Sequence, residues 1–367
     1  MKRKALLLSV GYGQGHHSAA QALAEEFERR GWGTETHDPC AETYPRLFRL
    51  TQCYYHFCVR KAPWLWGVTY SLTDTADWRR QVDGLLLRRC TAYIRKLLLS
   101  VRPDVVLCTY PLFAYMLDAL REQEGLRVPY VVMVTDAIEI SRPWMKTQAP
   151  LVCVIDEQSA LQVQERYALP PAQVVCTGFP VRRAFHGVSN DRRDFTDGVV
   201  RVLYAVYKNR RSVVQDVRAL LEAFPRLEVT LLCGERAAEM RMAFAPELAE
   251  GRVLLLPHCR DLANLFAQHH IYMGKAGAAT VFEAYAAALP IIINYSLPGQ
   301  EQGNLELVLQ DGCGYHAEST EDAVAAVGRM VADGGWRWHE ICRAMDRSRR
   351  SDGSRRVIDL IENRFFS

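Results

Sequence analysis

The stretch that most constrains this chain is Gly274 to Asn304, reading GKAGAATVFEAYAAALPIIINYSLPGQEQGN. A loop of small residues around Gly274 and Gly277 opens a segment of helical composition, Ala279 to Ala288. The apolar run Ile291 to Ile293 follows, and then a second loop, Pro298-Gly299-Gln300-Glu301. Alternation of loop, helix and short apolar run is the mark of a parallel α/β sheet. Small residues ahead of a helix let backbone N–H groups approach an anion, and the helix N-terminus favours its negative charge. The N–H groups of Gly277, Ala278, Ala279 and Thr280 therefore form a candidate diphosphate seat. Glu283 lies one turn further, where a carboxylate can reach ribose hydroxyls. Gln300 and Glu301 end a strand-to-helix loop, the usual place for ligand groups in open α/β sheets. A tight turn on an alanine-rich packing helix would have the same composition.

The chain opens with the same kind of unit. Ala5 to Val10 reads as a buried strand, Gly11-Tyr12-Gly13-Gln14-Gly15 as a turn, and His16 onward as a helix to about Arg30. The spacing is not that of a dinucleotide fingerprint, and Thr36-His37-Asp38 supplies no clean ribose acid, which makes a dehydrogenase the weakest reading. Strands follow at Val105 to Thr109, Tyr130 to Val134, Leu151 to Ile155 and Val174 to Thr177. Thr135-Asp136 sits at a strand end on the ligand side. Polar residues from Ala184 read as a linker, and a second domain starts at Val200. The domains expected are residues 1–183, a linker 184–199, a second domain 200–353, and a final helix 354–367.

Taken in order, these segments resemble one family. Lys275, Gly277, Thr280, Glu283 and Ala284, followed by Pro298, Gly299, Gln300, Glu301 and Asn304, follow its pattern of KPGG, a Thr, an EA pair and then PGQE-xx-N. Gly13, Gly15, His16, Ala19 and Ala20 match its GxGHxxAA segment. The sequence is thus similar to the family 28-like glycosyltransferases that include monogalactosyldiacylglycerol synthases, bacterial diacylglycerol glucosyltransferases and the peptidoglycan precursor transferase. The resemblance implies a GT-B fold, two Rossmann-like α/β domains facing a central cleft, with the last helix crossing back to the first. It implies transfer of a hexose from a UDP-sugar to a lipid, most readily diacylglycerol, with inversion. His16 becomes the candidate base, and Asp136 orients it or takes its place. Gly15 and Cys259 join the donor-binding set, the latter beside the uracil. No cofactor beyond the co-substrate and no metal is expected, in keeping with the lack of an Asp-x-Asp motif.

Departures are informative. Ala276 and Ala278 stand where the family has Pro and Gly. The turn after the first strand of the second domain, Ala205 to Arg211, has no glycine, and Lys208 or Arg210 could supply a cation instead. The His that the family carries after Thr135-Asp136 is absent, although Trp144 is kept. These changes keep open a binding protein of the same fold without transferase activity. A UDP-sugar epimerase is another alternative.

From Tyr44 to Leu72 aromatic and basic residues interleave. Tyr54, Tyr55, Trp64 and Trp66, with Arg60 and Lys61, form a candidate acceptor or membrane contact, since rings sit at headgroup level and cations meet anionic lipid. Trp78, Arg79 and Arg80 extend it. A pair of helices packed on the sheet would show the same stripes. The net charge of +3 is too small to argue for nucleic acid. No apolar run suffices to span a bilayer, and 11 cysteines without CxxC spacing suit reduced thiols. The expectation is a cytoplasmic enzyme held peripherally at the inner face of a membrane.

Overall fold

A computed structural model describes residues 2–13, 15–75, 85–145, 147–188, 195–348 and 350–367. The expected contacts at Trp78, Arg79 and Arg80 lie outside the described residues, as do the side chains of Arg60 and Lys61.

The chain folds into two compact units. The first holds Met1–Arg183, Leu297–Gly303 and Arg350–Ser367, and the second holds Ala184–Ser296 and Asn304–Arg349. The Pro298-Gly299-Gln300-Glu301 loop and residues 350–353 group with the first unit. The loop does so because its backbone packs there. A Cβ on Gly303 would come within 1.8 Å of the Ala137 carbonyl oxygen, so only glycine allows that approach.

Each unit is built on one six-stranded, wholly parallel sheet. In the first, β1 (Lys4–Leu8), β2 (Gly33–His37), β3 (Val105–Cys108), β4 (Tyr130–Met133), β5 (Leu151–Val154) and β6 (Val174–Cys176) stand in the order β2-β1-β3-β4-β5-β6. In the second, β7 (Val200–Ala205), β8 (Leu227–Leu232), β9 (Val253–Leu256), β10 (Ile271–Lys275), β11 (Ile291–Tyr295) and β12 (Gly314–His316) stand in the order β12-β11-β10-β7-β8-β9. The interior strands β3, β4 and β5 are buried at every position, as strands covered by helices on both faces must be. The edge strand β2, reading GTETH, is polar. Strand order reverses between β1 and β3 in one sheet and between β7 and β10 in the other. At such switch points neighbouring crossovers leave to opposite faces and open a crevice at the carboxyl ends of the strands.

The final helix, Gly353–Phe365, packs on the first unit. Arg30 pairs with Asp359 at 2.7 Å and Glu362 at 2.8 Å, and the Trp32 indole N–H donates to Glu362 at 3.0 Å. The Phe179 N–H donates to the Arg350 carbonyl at 2.6 Å, and the Gly353 N–H to the Phe179 carbonyl at 3.2 Å. A Cβ on Gly353 would stand 2.4 Å from the Gly178 oxygen. Gly353→Ala should therefore cost about 1–3 kcal/mol, the usual penalty of overpacking. Thermal unfolding checks this, and a melting point lowered by less than about 1 °C would mean that the strap yields freely.

Candidate functional site

The switch point of the first sheet carries the first group of polar residues. Ser9 to Tyr12 leave β1, and the helix Gly15–Arg29 brings His16 back over the sheet end. Thr109 and Tyr110 leave β3 beside it. The His16 Nδ1 lies 2.6 Å from the Thr109 carbonyl oxygen, and Thr135 Oγ1 is 3.1 Å from the same nitrogen. A carbonyl only accepts, so Nδ1 carries the proton, and in the neutral ring Nε2 holds a lone pair. His16 is buried, with Tyr110 edge-on at 5.2 Å and Trp144 tilted at 6.2 Å. Desolvation lowers its pKa to about 4, so the imidazole is neutral near neutral pH.

Asp136 follows Thr135 at the end of β4 and is also buried. Its Oδ2 accepts from the Trp144 indole N–H at 2.7 Å. Burial raises its pKa to about 6, and the indole bond opposes that rise. The orientation of His16 comes from Thr109 and Thr135, while Asp136 is held by Trp144. Sequence reasoning found the two titratable groups and missed Thr109 and Tyr110. The only signal for these was their place at the end of a strand next to the glycine turn. Asp38, at the end of β2, serves the first turn and the next helix. Asp38 is committed, accepting from the Gly11 N–H at 2.9 Å and capping a helix through the Ala41 N–H at 2.9 Å.

The helices Pro45–Lys61 and Pro63–Thr75 carry the aromatic segment. Tyr55 is buried, with its ring 4.9 Å from that of Trp66. The Trp66 indole N–H donates to the Gln300 side-chain oxygen at 3.1 Å. Gly299 turns beside Tyr70 with φ +80°, a conformation that requires glycine. Tyr55 and Trp66 thus face inward, toward the Gln300 loop, while Trp64 is 70% exposed and Tyr54 39%. Exposed apolar residues line up with them. Leu47, Leu50, Tyr54 and Phe57 recur at helical spacing on one helix, and Trp64, Val68 and Leu72 on the next. The aliphatic members of these stripes were missed because only rings and cations were counted. Arg46 and Arg49 are exposed on the first of these helices.

Glu301 bends back on its own loop, its carboxylate accepting from the Leu297 N–H at 3.0 Å. It is buried, so its visible work is to hold the loop that presents Gln300.

In the second unit, Gly277 is the N-cap of the helix Ala278–Ala286, with no side chain capping it. Ala278 is absent from the residues with positive φ, so the alanine that replaces glycine keeps an ordinary helical backbone. The first N–H groups of this helix, through Thr280, are without intrahelical partners, as at any helix start. The Asn304 amide donates to the Ala276 carbonyl at 2.9 Å and fixes the turn. Glu283 is 2% exposed, at the floor of the helix rather than on its surface. Cys259 is half-buried beyond β9, in the turn before the helix that Asp261 caps. Gly15, in the first unit, is a first-turn residue with open space around it. The donor set is therefore divided: Gly277, Ala278, Ala279, Thr280, Glu283 and Cys259 belong to the second unit, and Gly15, Gln300 and Glu301 to the first.

The glycine-free turn after β7 has its own support. Asp216 is fully buried and accepts from the Tyr204 hydroxyl at 2.7 Å, the Thr320 hydroxyl at 2.6 Å and the Lys208 ammonium at 3.3 Å. Lys208 is committed to this carboxylate, whereas Arg210 and Arg211 are exposed.

Asp136 yields a prediction for stability. Its folded pKa of about 6 lies above the ordinary 3.8, so the stability it contributes is present below 3.8 and lost as pH rises through 6. Asp136→Asn cannot ionise and keeps an oxygen for Trp144. It should be more stable than wild type at about pH 7, by about 1–3 kcal/mol, with the gain vanishing below about pH 4. Urea unfolding at both pH values tests this, and a gain of the same size at both would refute it.

Comparison with known proteins agrees with this architecture. Residues 16–181, just under half of the chain, match the family model for monogalactosyldiacylglycerol (MGDG) synthase. A processive diacylglycerol beta-glucosyltransferase of Bacillus cereus is 22% identical over 372 residues, spanning 98% of this chain and 93% of its own. Among solved structures, Acinetobacter baumannii MurG superposes with a TM-score of 0.64 at 14% identity, over 98% of this chain and 99% of that one. The UDP-GlcNAc 2-epimerase of Neisseria meningitidis does so with 0.60 at 11% identity, over 98% and 100%. The structures share the fold without choosing between transfer and epimerisation, and the sequence relative is a transferase. By fold, and by likeness along its whole length, this chain is a GT-B protein similar to the glycosyltransferases of the monogalactosyldiacylglycerol synthase and diacylglycerol glucosyltransferase group.

Proposed function

We propose that the chain transfers a hexose from a UDP-sugar to diacylglycerol or a closely similar lipid at an anionic membrane surface, with inversion at the anomeric carbon. The observation that carries this reading is His16. It is a buried neutral imidazole whose Nδ1 is tied to a backbone carbonyl, which leaves Nε2 to accept a proton. It sits at the switch point of a unit that also exposes the apolar stripes of Pro45–Lys61 and Pro63–Thr75.

Each unit has a task in this reading. In the first, His16 takes the proton of the acceptor hydroxyl as its oxygen attacks the anomeric carbon. In the second, the helix start at Gly277 to Thr280 holds the diphosphate and stabilises the charge of departing UDP. Glu283 holds ribose. The exposed stripes with Arg46 and Arg49 rest on the lipid headgroups, where the acceptor is found. Among the described residues no helix is long and apolar enough to cross a membrane, and contact through these stripes needs none.

The direct test is release of UDP from a panel of UDP-hexoses, with and without diacylglycerol micelles containing anionic lipid. Release with one donor that depends on lipid is expected. UDP binding without lipid-dependent release would point to another acceptor or to a binding protein, and conversion of the donor without UDP release to an epimerase. His16→Ala should lower kcat by about 10²–10⁴-fold and leave UDP affinity intact. With His16 as base, kcat/KM falls on the acid side with an apparent pKa of about 4. An acid limb near 6 that disappears in Asp136→Asn would move the role to Asp136.

A further inference from the structure

The second sheet has its own switch point, between β7 and β10, and an unusual set of side chains gathers there. Tyr207 lies two residues beyond β7, Lys275 ends β10, and Tyr295 ends β11. Lys275 and Tyr295 are partners in the β10–β11 register, and β10 lies directly beside β7. Three adjacent parallel strands thus deliver two tyrosines and a lysine to one carboxyl edge, all half-buried. The two rings are nearly parallel, 10° apart with centroids separated by 6.2 Å. The Lys275 ammonium stands over the Tyr207 ring, 5.5 Å from its centroid.

The three side chains are half-buried, and the turn that carries Tyr207 is held by its neighbours. Lys208, its neighbour, is anchored on Asp216, and the Arg236 guanidinium donates to the Lys208 carbonyl at 2.5 Å. The turn has no glycine, so backbone cannot come as close to a ligand as it does at Gly277. Side chains must do the recognition there.

We infer that Tyr207 and Tyr295 form the stacking platform for the hexose ring of the sugar-nucleotide, with Lys275 at the edge that receives its phosphate. This rests on the UDP-hexose reading above and names the groups that select the sugar. Axial C–H bonds of a pyranose carry partial positive charge and meet the negative face of an aromatic ring. Two parallel faces offer one orientation for such a stack. A lysine over a ring is held more weakly than one paired with a phosphate. In this inference an arriving phosphate draws the ammonium toward itself, and the sugar covers the Tyr207 face. Lys275 ends the strand that leads into the helix start, two residues ahead of its N-cap Gly277.

The test separates sugar from nucleotide. UDP affinity by calorimetry, and KM for the preferred UDP-hexose, are measured for wild type and for the alanine and phenylalanine variants of Tyr207 and Tyr295. The alanine variants should raise KM about tenfold and keep UDP affinity within about twofold. Phenylalanine should restore KM to near the wild-type value, because the ring and not the hydroxyl is used. An equal loss for UDP alone, or no loss for either ligand, overturns the platform. Should an alanine variant fold poorly, saturation transfer in the wild-type protein decides. Transfer from aromatic protons to the hexose C–H protons must disappear when tyrosine is ring-deuterated, and its persistence overturns the inference. Wild-type protein that neither binds UDP nor releases it from any UDP-hexose refutes the underlying reading instead, a result distinct from variants that merely match wild type.

Discussion

A parallel sheet buried on both faces can place polar chemistry only at its edges, and this rule governs everything else in the molecule. Strands β3, β4 and β5 of the first unit are closed to solvent at every position, so no titratable side chain can work from within them. What the sheet offers is its carboxyl ends, where loops leave toward opposite faces at a reversal of strand order. His16 and Thr109 meet at one reversal, and Tyr207 and Lys275 at the other. The gathering of these polar groups is therefore a consequence of topology before it is a matter of residue choice.

Burial then sets the chemistry. His16 and Asp136 are both desolvated, and desolvation moves them in opposite directions, the imidazole down and the carboxylic acid up. The result is a neutral base and an acid that ionises only near pH 6. A carbonyl and an indole hold them, both uncharged partners, so neither shift is cancelled by an ion pair. The same economy of charge is absent in the second unit, where Asp216 is fully buried beside Lys208 and two hydroxyls. There the ion pair holds a turn in place, with hydrogen bonds completing the carboxylate's shell.

Glycine is used in one loop and dispensed with in another. At Gly299 and Gly303 the loop keeps glycine because the backbone itself must fold under Tyr70 and against Ala137. After β7 glycine is missing, and Tyr207 pairs with the Tyr295 ring while Lys208 is tied to Asp216. The aromatic helices show a similar division of labour. Tyr55 and Trp66 turn inward to brace the glycine turn and Gln300, while Trp64, Phe57 and the leucines face solvent.

Much of this was legible in the sequence. Alternating apolar runs and helical segments determine a parallel α/β architecture, because only crossover helices can join parallel strands. The small-residue loop at Gly277, the GxGH turn and the PGQE loop could be read as ligand-side elements, since each follows a strand end. Local pattern could not reveal which side of a helix faces inward along Tyr44 to Tyr70, where rings occur on both sides. Nor could it reveal that the PGQE loop packs with the first unit, because that depends on contacts with residues more than a hundred positions away. The partners of His16, Asp136 and Tyr207 were hidden for the same reason. A hydrogen bond from residue 16 to residue 109, or a ring stacked from 207 to 295, exists only once strand order brings two distant strand ends together. The sequence determines the strands and the turns, and the tertiary structure decides which turns become neighbours, because sheet order is set by long-range burial that no local pattern encodes.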